Sequence, residues 1–107
     1  MSEPKERSRA QQLMGDFAPK LAELTDDVLF GDVWARAELS PRDRSLVTVA
    51  ALIANGNTAQ LTSHLNLAKT NDLSETELAE VMTHLAFYVG WPRAISAIMV
   101  AKEAFKE

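Results

Sequence analysis

The chain has 107 residues, 47% of them hydrophobic and 24% charged, with a net charge of −4 and no cysteine. This is the balance of a globular protein rather than a disordered one, and the length predicts a single domain with a modest core. No basic block supplies the phosphate attraction of a nucleic-acid binder or the cationic face of a membrane-surface helix. The lack of cysteine excludes disulfides, thiolate metal sites and thiol nucleophiles together.

Residues 1–9 are polar and charged, which reads as a frayed lead-in without the apolar stretch of a signal peptide. With the missing cysteines, this predicts a cytoplasmic protein. The longest nearly apolar run, Leu46 to Ala54, is too short to span a bilayer. The domain proper is expected over residues 10–107 and reads as all-α, with about six helices and almost no strand signal.

Ala10 to Met14 starts a short helix that Gly15 interrupts. Pro19 suits a first helical turn, and Leu21, Leu24 and Val28 then fall on one face, up to a stop or bend at Gly31. Phe30, Val33 and Trp34 form an apolar cluster around it. Ser40-Pro41-Arg42-Asp43 is a strong helix start: Ser40 accepts from a free backbone N–H, Pro41 has none to lose, and Asp43 faces the positive helix end. Asn55-Gly56-Asn57 supplies a left-handed stop. Between them the helix is apolar nearly all round, from Leu46 to Ile53. A chain this small can hardly surround such a helix, so subunits are expected to pack on it and form a homo-oligomer.

A fourth helix is expected from Thr58 to Lys69, then a turn at Asn71-Asp72. Ser74 and Glu77 form a capping box for a fifth, with Leu78, Val81, Met82, Leu85 and Val89 on one stripe. Gly90 breaks it, and Pro92 opens a last, very apolar helix to about Phe105.

The candidates for chemistry are few. At about 100° per residue, Asn57, Gln60 and His64 share one flank of the fourth helix, which puts His64 at the edge of the core. The plain alternative is a histidine satisfied by a backbone carbonyl. Glu77, Glu80, His84 and Tyr88 share a flank of the fifth helix, where Glu80–His84 and His84–Tyr88 are in pairing register; an ordinary solvated face is the alternative there. Arg44 lies one turn before a buried stretch and calls for a carboxylate partner, either a protein acid or an anionic substrate. No metal-ligand spacing, phosphate loop, nucleophile elbow or dinucleotide fingerprint is present, so neither metal nor cofactor is expected.

Taken in order, several segments resemble the carboxymuconolactone decarboxylase family: Val28-Leu29-Phe30-Gly31-Asp32-Val33-Trp34, then the Arg42-Asp43-Arg44-Ser45-Leu46 helix start. They continue with Gln60-Leu61 ahead of His64, and close on Tyr88-Val89-Gly90-Trp91-Pro92-Arg93-Ala94. The likeness runs from about residue 16 to the end. It implies an alkylhydroperoxidase-D-like helical fold that assembles into trimers or hexamers. One branch of the family decarboxylates 4-carboxymuconolactone in aromatic degradation. The other uses a Cys-x-x-Cys pair placed shortly before a His.

Counted back from His64, those cysteines fall on Asn57 and Gln60, and the acid of the redox branch falls near Ser45. Gln60 also stands where the decarboxylase branch commonly has Glu. Hydroperoxide reduction is therefore the poorest of three readings. A non-catalytic oligomer that lost the chemistry is the second. The leading one is cofactor-free decarboxylation, or related handling, of a small organic acid or lactone. In it Arg44 binds a carboxylate, His64 is the general acid with Gln60 orienting it, and His84 with Tyr88 is a second donor pair.

Overall fold

The computed structural model describes residues 7–106, so residues 1–6 of the expected lead-in lie outside it. Among the described residues the chain is all-α, with six α-helices and no strand, as the sequence predicts. None of these helices is long and apolar enough to cross a membrane. The described residues divide into two compact units, one up to Glu38 and one from Leu39.

In the first unit, α1 (Arg9–Met14) starts one residue earlier than expected. Ser8 is the reason: its Oγ accepts from the Gln11 backbone N–H and donates to Asp26, 2.7 Å away. The helix that opens at Pro19 also departs from expectation. It is α-helical only over α2 (Pro19–Leu24) and widens into a π-helical turn at Thr25–Phe30. There the Thr25 hydroxyl donates back to the Leu21 carbonyl at 2.7 Å, a bond that competes with the regular ladder. Gly31 ends the turn, and a 3-10 turn follows at Val33–Ala35. The Phe30 and Trp34 rings meet at 5.7 Å, as the apolar cluster foretold.

The second unit holds the core. Its helices are α3 (Pro41–Asn55), α4 (Thr58–Thr70), α5 (Glu75–Val89) and α6 (Trp91–Ala104). Ser40 caps α3 through the Asp43 N–H, and Ser74 with Glu77 closes the predicted capping box on α5. Gly56 ends α3 in the left-handed region at φ 70°, with Asn57 N–H donating to Leu52 O and Gly56 N–H to Ile53 O. The same bonding ends α4, where Leu73 N–H reaches Ala68 O and Asp72 N–H reaches Lys69 O. Asp72 takes the left-handed position there, at φ 74°.

Val49 and Ile53 of α3, Leu61 and Leu65 of α4, and Leu78 and Met82 of α5 fill the core. Burying each of these large side chains contributes roughly 1.5–3 kcal/mol. The third helix is not buried on every side within one chain: Val47 points outward and is 56% exposed. On α6 the small residues Ala94, Ala97 and Ala101 face inward, whereas Ile95, Ile98 and Met99 face outward. Alanines at that spacing let α4 and α5 approach α6 closely, and the large apolar residues are left for another surface.

Candidate active site

Of the five residues singled out from the sequence, His84 lines a cleft and stacks on Tyr88, whereas Arg44, Gln60 and His64 lie outside that lining. On α3, Arg44 is half-buried and its guanidinium Nε is shielded from solvent. On α4, His64 is half-buried and its ring Nδ1 is likewise shielded. The edge-of-core placement expected for His64 thus holds. Gln60, one turn earlier, is exposed, and its backbone carbonyl accepts from Ser63 Oγ at 3.1 Å. Thr48, on the same strip of α3 as Arg44, donates to the Arg44 carbonyl at 2.7 Å.

The other two residues belong elsewhere. A cleft of about 500 Å³ runs between α3 and α5, lined by Arg42, Leu46 and Ala50 on one side and by Glu77, Glu80, Val81, His84 and Leu85 on the other, with Leu73 at one end. His84 stacks its ring on Tyr88 with centroids 5.0 Å apart, and Tyr88 is 76% exposed. Arg42 is ion-paired with Glu77. The Ser74 backbone N–H donates to the Glu77 carboxylate and, with the nearby Arg42 charge, holds its pKa below the ordinary value.

The charged groups of the cleft lining are Arg42, ion-paired with Glu77, and the carboxylate of Glu80, set among mostly apolar side chains. Arg44 Nε and His64 Nδ1, by contrast, are shielded from solvent. The α3 wall of the cleft escaped sequence reading, although Arg42, Leu46 and Ala50 share the i, i+4, i+8 register that signals one face. The sequence placed Asn71 in a turn and Ser45 where the redox branch has an acid, but it did not join them. Ser45 is the buried polar residue of α3, 0% exposed, and its Oγ accepts from Asn71 Nδ2 at 2.9 Å. A serine in an apolar helix leaves no trace of its partner in the sequence.

The model of the carboxymuconolactone decarboxylase family matches residues 19–103. The chain belongs to the carboxymuconolactone decarboxylase family. It is 33% identical over 100 residues to a 4-carboxymuconolactone decarboxylase of Acinetobacter baylyi, across 94% of this chain and 75% of that one. It is 32% identical over 85 residues to a nitrosuccinic acid decarboxylase of Metarhizium robertsii, across 79% of this chain and 59% of that one. This family member carries no cysteine, with Asn57 and Gln60 at the positions where the resemblance places a redox pair.

Proposed function

We propose that this family member decarboxylates a small organic acid bearing two or more carboxylates, with Arg44 holding a carboxylate and His64 delivering a proton to carbon. Two relatives named as decarboxylases support a lyase over a scaffold that has lost its chemistry. The acids in their names share a demand. Loss of CO2 next to a nitro group leaves a nitronate, and loss from a carboxymuconolactone leaves a dienolate. In both, the electron pair of the broken C–C bond spreads onto oxygen. A site for either acid must hold a second carboxylate, stabilise the oxygen charge and protonate carbon.

The observation that carries the assignment is the burial of Arg44 Nε and His64 Nδ1. In the proposed sequence Arg44 binds the spectator carboxylate and opposes the growing oxygen charge. CO2 departs, an imidazolium at His64 gives its proton to the carbanion, and water reprotonates the ring. The balance is one carboxylate and one proton in, CO2 and a C–H bond out. Gln60, one turn before His64 on α4 and exposed, would orient the ring through its amide once substrate is bound. His84 and Tyr88 receive no step in this sequence, because they stack on each other at an exposed cleft.

The outward-facing Val47, Phe87, Trp91, Ile95, Ile98 and Met99 support self-association, as a trimer or hexamer, through a second copy of the chain.

The test is CO2 release from 4-carboxymuconolactone and from nitrosuccinic acid by the purified chain. Activity on one of them is expected, with His64→Ala slower by about 10²–10⁴-fold. A His64→Ala protein that keeps full rate removes the general-acid role. No CO2 from either acid, together with no rise in melting temperature on adding them, returns the chain to the non-catalytic reading.

A further inference from the structure

We infer that Asn71 is a positioning residue that sets Arg44 through a buried hydrogen bond to Ser45. The inference rests on the reading of Arg44 as the carboxylate-binding cation. Its basis is the way the start of α3 is held. Ser45 is fully buried, and Asn71 donates to its hydroxyl at 2.9 Å. Arg42, on the other side of Arg44 in the sequence, is ion-paired with Glu77. The start of α3 is therefore tied on both sides of Arg44, by Ser45 to the connection from α4 to α5 and by Arg42 to the first turn of α5. Arg44 itself lies about 200° round the helix from Arg42 and about 100° from Ser45. The ties hold its backbone and leave its side chain to another surface.

That connection is itself fixed. Asn71, Asp72 and Leu73 donate their backbone N–H groups to Leu67, Lys69 and Ala68 of α4, at 2.9, 3.1 and 2.9 Å. Leu73 is buried in the core, and Ser74 caps α5. α4 also carries His64, about two turns before Asn71. The α3–α4 hairpin is thus closed at one end by the Gly56 turn and at the other by the Asn71–Ser45 bond. The second closure lies one residue from Arg44 and joins the helix of the proposed anion-binding group to the helix of the proposed proton donor. A displacement of about 1 Å between two such groups can cost about 10²-fold in rate. A side-chain bond at this point is therefore worth more to the site than to the fold.

The experiment follows Arg44 directly. Its Nε–H signal in the nitrogen–proton NMR spectrum of the full chain is identified by its loss in Arg44→Lys. In Asn71→Ala, folded by circular dichroism, that signal should shift and exchange with water about tenfold faster, the effect of losing one buried hydrogen bond. Ser45→Ala should do the same, and the double variant should be no worse than either single one. Ile53→Val, which loosens the core elsewhere, should leave the signal in place. With substrate, Asn71→Ala should lower kcat/KM about tenfold, with kcat itself falling, as expected for a misplaced group. An unchanged Arg44 signal in folded Asn71→Ala or Ser45→Ala overturns the inference, as does an equal response to Ile53→Val. A chain that shows the Arg44 response but releases no CO2 supports the inference and sinks the decarboxylase reading instead. Should Asn71→Ala fail to fold, the smaller change Ser45→Ala decides.

Discussion

Two arginines stand two residues apart at the start of α3, and two histidines stand on the helices beside it, yet the members of each pair live differently. Arg42 meets Glu77 at the rim of an exposed cleft, and His84 lies in that cleft stacked on an exposed Tyr88. Arg44 and His64 have ring or guanidinium nitrogens withdrawn from water. The difference arises from helix geometry: a step of two residues turns the side chain through about 200°. Residue type alone therefore says little about which arginine or histidine can work on an anion. The surroundings decide, through desolvation and the sign of the neighbouring charges.

The largest expected effect separates the arginines. Arg44→Ala should lower kcat/KM for the decarboxylated acid about a hundredfold, the loss of a charge-assisted contact to carboxylate. Arg42→Ala should change it by no more than about twofold, because an exposed ion pair contributes little. Steady-state kinetics on both variants checks this. Equal losses would mean that the cleft and the α3–α4 flank serve one site, and the contrast drawn between them would fall.

The histidines give a smaller effect that sharpens the same point. His84→Ala should leave the rate within about twofold and stability within about 0.5 kcal/mol, the usual range for an exposed side chain. A His84→Ala loss comparable to that of His64→Ala would move the proton donor to α5. The expected role of His84 and Tyr88 as a second donor pair would then return.

How much of this was legible before folding depends on whether a signal is local. The caps at Ser40 and Ser74 and the stop at Gly56 are read from a few adjacent residues, and each lies where expected. The early start at Ser8 and the π-helical turn at Thr25–Phe30 were not legible, since each depends on a side chain choosing one backbone or acidic partner among several. The left-handed Asp72 was half legible: a turn was expected there, but aspartate does not announce φ 74° as glycine would. For the site, periodicity put His64 at the core edge and grouped Glu77, Glu80 and His84. It could not supply the opposite wall of the cleft, nor bring Asn71 to Ser45 across 26 positions of chain.

The smallest expected effect concerns the Arg42–Glu77 side of the comparison and is read through pH. Glu77 has its pKa lowered below the ordinary 4.5, first by the hydrogen bond from the Ser74 backbone and then by Arg42. A carboxylate with a depressed folded-state pKa stabilises the fold above its ordinary value, and the contribution is lost as pH falls through the lowered one. The melting-temperature gap between the parent chain and Glu77→Gln should therefore be open at neutral pH and close below 4.5. Arg42→Ala should open a narrower gap, because the backbone bond outweighs the ion pair and survives that substitution. Added salt should narrow the Arg42→Ala gap further, since the pair is exposed to solvent and screened. A gap for Glu77→Gln that stays constant from neutral to acid pH would show that the capping box holds without charge. Arg42 would then have no electrostatic part in fixing the start of α3, and the Asn71–Ser45 bond would be left as the tie beside Arg44.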